Sequence, residues 1–358
     1  MRILYVTTIG STMDFFNRLV QELREQGHTV DIACNDTIKP VSPFFYELGC
    51  RVYRLRCTRS PFHPGNISAV QQLRELVKRE QYDIVHCHTP VAAFCTRLAC
   101  ISLPCKVMYT AHGFHFYKGA PLKNWLLFYP AEKLCAHFTD VLITINKEDY
   151  ALAQRKLKAK KIVYVPGVGI DLSVFSPEQK GISRQELDIP EGNRVILSVG
   201  ELSYRKNHEI LIRAIAGMQK MTVLIAGVGA LESELKALAQ ELSCDVQFLG
   251  YRTDVAALCG VCDLFVLPSF QEGLPVALME AMACGKAVSC SAIRGSVDLV
   301  DGMGGTLFDP FDAESCRTAL EDVFSRDLSA MGQYNRQMLI AFSLENVNRQ
   351  MLELYSQQ

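Results

Sequence analysis

The chain has 358 residues, with 37 Lys and Arg against 38 Asp and Glu and a formal net charge of −1. That balance excludes a general affinity for nucleic acid or other polyanions. With 49% hydrophobic residues, the chain can bury two cores, and roughly 150 residues per domain sets two domains as the expectation. The 14 cysteines are scattered, mostly within apolar runs such as Ala99-Cys100 and Ser289-Cys290. This is the pattern of reduced, buried thiols in a cytosolic protein. No stretch reaches the ~20 apolar residues of a spanning helix. Met1-Arg-Ile-Leu-Tyr-Val reads as a strand, so no signal peptide is expected.

In chain order, Arg2 to Thr8 reads as a strand, and Ile9-Gly-Ser-Thr12 as a glycine turn. Met13 to Gln26 has helical spacing, with Phe15, Phe16, Leu19, Val20 and Leu23 on its apolar face. Thr29 to Cys34 completes a βαβ unit. Gly10 stands alone, so its turn is no dinucleotide fingerprint. Ala69–Glu80 and Ala92–Cys100 read as helices, and Asp83–His86, Lys106–Thr110, Val141–Ile145 and Ile162–Val165 as strands. The stretch Phe114 to Tyr129 is aromatic and carries two lysines and the one Trp of the chain, Trp125. It suits either a membrane interface or a cover for the core.

The segment 166–193 is rich in Gly, Pro and polar residues, which places a linker at 171–193. Alternation then restarts. Strands are expected at Arg194–Val199, Thr222–Ala226, Val246–Leu249, Leu264–Leu267 and Lys286–Cys290. Helices are expected at Asn207–Met218, Leu231–Leu242, Glu314–Phe324 and Asn346–Tyr355. The fold class is α/β, with two doubly wound Rossmann-like domains facing across a cleft and ligands at the carboxyl ends of the strands. The domains are set at 1–170 and 194–338, with a terminal helical segment at 339–358.

Five features are candidates for chemistry. After the strand Leu264–Leu267 comes Ser269-Phe-Gln-Glu-Gly-Leu-Pro-Val-Ala-Leu-Met-Glu280. Gly273 permits a tight turn, Pro275 suits a first helical turn, and the helix start offers N–H groups to an anion. Glu272 and Glu280 could accept hydroxyl hydrogen bonds, or merely cap and coat the helix. Arg205 and Lys206 follow another strand and could hold a diphosphate and offset a phosphate leaving group, or form an exposed basic turn. His112 stands at a third strand end beside Gly113. His86-Cys-His88 and Cys259-Gly-Val-Cys262 have metal or redox spacings. Neither has a further ligand nearby in sequence, so buried structural roles are expected. No Asp-x-Asp occurs, which favours charge stabilisation without a metal.

Glu272 to Glu280, in Glu-Gly-Leu-Pro-Val-Ala-Leu-Met-Glu, resembles the Glu-x7-Glu motif of retaining glycosyltransferases of family 4, which have the GT-B fold. Tyr109-Thr-Ala-His-Gly-Phe-His115, Ile143 to Asp149, Val165 to Asp171, Ser198 to Leu202 and Lys206-Asn-His208 resemble the branch that builds bacterial capsular and exopolysaccharides. The resemblance runs over nearly the whole chain. It implies transfer of a sugar from a nucleotide diphosphate-sugar, expected to be UDP-linked, to a lipid-linked saccharide with retention. The enzyme would need no metal or other cofactor and would work in the cytoplasm at the inner membrane face as a peripheral protein.

By the same resemblance, Glu280 binds ribose, Glu272 and the Gly273-Leu274 backbone meet the donor sugar, and Lys206 with Arg205 holds the diphosphate. Gly10 lets the first loop approach donor and acceptor, and His112 lies by the transferred sugar. Gly250, Tyr251 and Arg252 lie near the base, and the last helix crosses back to the first domain. One departure is Glu201, which stands where many members carry arginine. Alternative readings are an epimerase on the same fold and a non-catalytic subunit that binds nucleotide sugar.

Overall fold

A computed structural model describes residues 1–178 and 182–357. Residues 179–181 of the expected linker and Gln358 of the expected final helix lie outside the described residues. The chain divides into an N-terminal unit, Met1–Val168 with Val347–Gln358, and a C-terminal unit, Gly169–Asn346.

The N-terminal unit holds strands β1 (Arg2–Ile9), β2 (Thr29–Asn35), β3 (Val52–Arg54), β4 (Ile84–His88), β5 (Lys106–Ala111), β6 (Val141–Thr144) and β7 (Lys161–Tyr164). They pair in parallel in the order β3-β2-β1-β4-β5-β6-β7. Parallel strands buried on both faces read as continuous apolar runs. In β1, Ile3 to Val6 are all 0% exposed, and alternate residues feed opposite cores. Leu4 and Val6 pack with the helices Gly65–Glu80 and Pro90–Ala99. Ile3 and Tyr5 pack with Leu19, Leu23 and the closing helix Leu344–Ser356, which contributes Val347, Met351, Leu354 and Tyr355.

The C-terminal unit holds β8 (Arg194–Val199), β9 (Met221–Ala226), β10 (Val246–Phe248), β11 (Leu264–Leu267), β12 (Ala287–Ser291) and β13 (Gly305–Phe308). Its parallel order is β10-β9-β8-β11-β12-β13. In each unit the order reverses once, between β1 and β4 and between β8 and β11. Loops leave those two strands in opposite directions and open a crevice at their carboxyl ends.

The expected helix over 13–26 is shorter than its spacing suggested. A 3-10 turn occupies Gly10–Phe16, and the α-helix runs over Asn17–Glu25. Phe15 is exposed, whereas Phe16 is buried against His88 and Tyr5. The turn starts at Gly10, whose N–H donates to Lys39 O at 2.9 Å. A Cβ at Gly10 would stand 2.4 Å from Pro40 C and Val41 N. The close passage of its own chain therefore already requires glycine at this position.

Candidate functional site

The charged part of the site is built at the β8/β11 reversal. The loop after β8 ends in the turn Tyr204–Lys206, and Asn207 follows at φ 52°. Asparagine tolerates this left-handed backbone better than most residues. Its side-chain amide donates to Pro268 O at 3.1 Å and to Pro310 O at 2.9 Å, tying the loop to the one after β11. A backbone bond from Phe270 N to Arg205 O at 2.9 Å closes the same gap.

These ties set a carboxylate against two cations. Lys206 Nζ lies 2.8 Å from Glu272 Oε1. Arg205 Nη1 donates to Gln271 O at 3.2 Å and reaches Glu272 Oε1 at 3.3 Å. The Lys206 and Glu272 side chains are 13% and 10% exposed, against 45% for Arg205. The Lys206 stem lies over Gly200, where a Cβ would meet its Cδ at 3.1 Å. Two cations on one carboxylate leave a net positive charge, partly shielded from water, which suits an anion.

A third basic residue, which the sequence reading missed, supports the loop from beneath. Buried Arg294 donates through Nε to Glu272 O at 3.1 Å. The next residue, Gly295, has φ 81° and packs so tightly that a Cβ would stand 2.2 Å from Gly273 O. The signal was positional. Arg294 follows the carboxyl end of β12, as Arg205 and Glu272 follow β8 and β11.

Glu280 lies on the helix Val276–Ala283, for which Pro275 is the capping residue. Burial pushes its carboxyl up to about 7. It has no hydrogen-bond or ion-pair partner among the described residues, so it can accept hydrogen bonds from a ligand. Leu274 is buried. Gly250, at φ 67°, accepts at its carbonyl from Gly227 N at 2.8 Å, and Tyr251 beside it is 77% exposed. Arg252 is paired with Asp254 at 2.6 Å. Glu201 is exposed and has no ion pair among the described residues.

In the N-terminal unit His112 follows β5. The β4–β5 register sets His88 opposite Thr110, two residues before it. His88 Nδ1 then meets His112 Nε2 at 3.1 Å. The His88 ring lies against Phe16 at 4.3 Å and stacks on Tyr5 at 5.6 Å. His86 Nδ1 bonds the Tyr355 hydroxyl at 2.5 Å, and its Nε2 bonds Thr110 Oγ1 at 2.8 Å. The Tyr355 hydroxyl also bonds that of Tyr5 at 2.6 Å.

Desolvation lowers His86 to about 3 and partly exposed His112 to about 4, and it lowers His88 strongly as well. All three imidazoles are neutral near pH 7. Each then has one donor and one acceptor nitrogen. The sequence offered His86 and His88 no third partner, yet the sheet supplies His112. The contact is a hydrogen bond between two nitrogens. Among the described residues no group of three or more His, Cys, Asp or Glu is arranged to hold a metal ion.

Of the two roles expected for the stretch 114–129, the structure shows the cover for the core. Trp125 covers the core: its Nε1 donates to Tyr117 O at 3.2 Å, and its ring packs on Phe116 and Tyr129. Its neighbour Leu126 is 71% exposed. Cys259 and Cys262 are buried free thiols beside β11. No described helix is long and apolar enough to cross a membrane.

Two parallel α/β units, the C-terminal one with a lysine, an arginine and a carboxylate at its strand-order reversal, have the architecture of a GT-B scaffold, and relatives bear out the class. Residues 14–167 match the family described as "Glycosyl transferase 4-like domain", and residues 179–338 match "Glycosyl transferases group 1". A Bacillus subtilis (strain 168) protein named as glycosyltransferase EpsD is 33% identical over 93% of this chain and 90% of its own length. An Escherichia coli "UDP-Gal:alpha-D-GlcNAc-diphosphoundecaprenol alpha-1,3-galactosyltransferase" is 31% identical over 71% of each chain. Among solved structures, Anabaena Alr3699/HepE, determined with UDP and glucose, is 20% identical with a TM-score of 0.81 and 100% of both chains covered. The chain belongs to the family 4 type of GT-B glycosyltransferases.

Proposed function

We propose that this enzyme transfers a sugar from a UDP-sugar to a lipid-linked saccharide, with retention at the anomeric carbon, during assembly of a surface polysaccharide. The observation that carries the reading is the Lys206–Glu272 pair at 2.8 Å, with Arg205 beside it and Glu280 one helix face further on. A diphosphate entering this crevice would draw Lys206 and Arg205 from Glu272 and free the carboxylate for donor-sugar hydroxyls. Glu280 would accept from the ribose. Lys206 would offset charge on the leaving phosphate, whose oxygen takes the acceptor proton on the face where the new bond forms. This route requires no metal. His112, neutral and held by His88, would offer one fixed donor or acceptor to a sugar hydroxyl. The name of the Escherichia coli relative supports the UDP donor and the lipid diphosphate acceptor. Work at the inner face of a membrane follows from such an acceptor.

The test is a thermal-shift screen over nucleotide sugars, followed by transfer assays with the best donor. A UDP-sugar should raise the melting temperature, since it binds the native state alone. Lys206→Ala and Glu280→Ala should fold and lose transfer. Full turnover by both variants overturns the site. Epimerised donor without acceptor, or binding without product, would select the other two chemistries.

A further inference from the structure

The loop between β11 and the helix Val276–Ala283 is held from two sides, because β11 lies between β8 and β12 in the sheet. From the β8 side, Arg205 Nη1 donates to Gln271 O at 3.2 Å. From the β12 side, Arg294 Nε donates to Glu272 O at 3.1 Å. The residue after Arg294 holds the next carbonyl. A Cβ at Gly295 would stand 2.2 Å from Gly273 O and 3.2 Å from Leu274 Cα, so only glycine lets the two segments close up. The carbonyls of Glu272 and Gly273 therefore both face the residues that follow β12.

A trans peptide carries its C=O and its N–H on opposite sides. Holding those two carbonyls towards β12 turns the N–H groups of Gly273 and Leu274 the other way, towards the β8 side. Neither N–H has an acceptor among the described residues. Successive N–H groups on one face of a loop form a concavity for an anion. The β8 side is also where Lys206 stands, with Nζ 2.8 Å from Glu272 Oε1.

The charge of Arg294 adds to the geometry. It is 6% exposed, and a guanidinium is costly to take out of water. A neutral donor could hold a carbonyl as well. A cationic donor does more, because it draws electron density towards the Glu272 oxygen and leaves the N–H of the same peptide more positive. That N–H belongs to Gly273.

We propose that Arg294 is a positioning residue of the transfer reaction, aiming and polarising the Gly273 N–H so that it meets the diphosphate of the donor as negative charge develops there. The inference rests on the proposed function and deepens it, since Arg294 acts through the backbone of its neighbour. Gly295 completes the device by holding the Leu274 N–H in the same sense.

The experiment labels the full chain with isotopic glycine and follows the Gly273 amide by NMR, assigned through Gly273→Ala. UDP and inorganic diphosphate are added in separate titrations, with binding confirmed by calorimetry. In the wild-type protein the Gly273 resonance should move downfield with either ligand. Transfer kinetics and melting are then measured for Arg294→Ala, Arg294→Gln and Arg294→Lys. The Ala and Gln variants should lose kcat about tenfold, less than the outright loss of such a donor costs, with the acceptor KM unchanged and the Gly273 shift reduced. The Lys variant keeps a cation at the carbonyl and should recover most of the rate and of the shift. If the Ala variant does not fold, the Gln and Lys variants carry the comparison. Equal loss in the Gln and Lys variants would mark a packing role and overturn the proposal. Transfer by the wild-type enzyme without movement of the Gly273 amide overturns the positioning role alone. Movement of that amide with diphosphate, but no transfer from any UDP-sugar, overturns the proposed function alone.

Discussion

His88 Nδ1 and His112 Nε2 stand 3.1 Å apart, joined by a hydrogen bond between two neutral rings. One ring must donate and the other accept, so the tautomer of His88 dictates that of His112. His88 is itself fixed between Tyr5 and Phe16. His88→Ala should therefore lower kcat about tenfold, the worth of one such hydrogen bond, with UDP-sugar affinity unchanged. Asparagine can offer an amide near the Nδ1 position, so His88→Asn should recover most of the rate. An equal loss in both variants would point to packing alone.

Lys206 carries a heavier load. Lys206→Ala should reduce transfer about 10²–10³-fold, the usual effect of removing one preorganised donor to developing negative charge. Glu272→Gln should leave UDP affinity intact or tighter, because the two cations are released, while transfer falls. Steady-state kinetics with UDP binding measured separately decides it. Weaker UDP binding by Glu272→Gln contradicts the displacement of the ion pair by phosphate.

Donor affinity should depend on pH through Glu280. Burial pushes its carboxyl up to about 7, and it must be ionised to accept the two ribose hydroxyls that the proposed function gives it. UDP affinity should fall as pH drops from 8 to 6, and Glu280→Gln should flatten that profile. The same raised value has a stability sign. The folded state holds this proton more tightly than the unfolded chain, so the C-terminal unit gains from it as pH falls from 7 towards 4.5.

The buried histidines give the N-terminal unit the opposite dependence. Ordinary histidine titrates near 6.5, whereas His86 and His112 are lowered to about 3 and about 4. As pH falls below 6.5 the unfolded chain binds protons first. The contribution is whole above that pH and is lost as pH falls towards 4. Hydrogen exchange at the amides of β1 and β4 should accelerate steeply between pH 6.5 and 4. A flat profile there would contradict the burial of these rings as neutral species.

Gly10→Ala should destabilise the N-terminal unit by about 1–3 kcal/mol. The new methyl meets backbone at Pro40 and Val41, and backbone cannot swing aside as a side chain can. Chemical denaturation read by β1 amide exchange measures it. Full stability in this variant would mean that the 39–41 segment moves freely.

Much of the scaffold was legible, because parallel strands buried on both faces leave unbroken apolar runs. Arg194–Val199 and Leu264–Leu267 end where the runs end. β3 and β13 were missed because each is short and sits at a sheet edge with exposed positions. The helix Leu122–Ala136 shows no clean periodicity, since one side enters the core while the other lines an open groove. The helix Lys147–Lys156 is mostly polar and announces itself by its Asn146 cap, which accepts from Asp149 N. In the site, the residues after β8 and β11 were readable from position alone. The contact between His88 and His112 was not, because it depends on strand register across residues far apart in sequence.

Tyr355 bonds Tyr5 and His86, and Val347, Met351 and Leu354 fill the same core. β1 thus waits for a helix synthesised long after it. Domains commonly fold in the order of their synthesis. Here the C-terminal unit, continuous in sequence, can finish while the N-terminal sheet still lacks a wall. Translation stalled before Val347 would leave Ile3 and Tyr5 uncovered, a state open to proteases. The N-terminal half is thereby completed only after the C-terminal unit has been made.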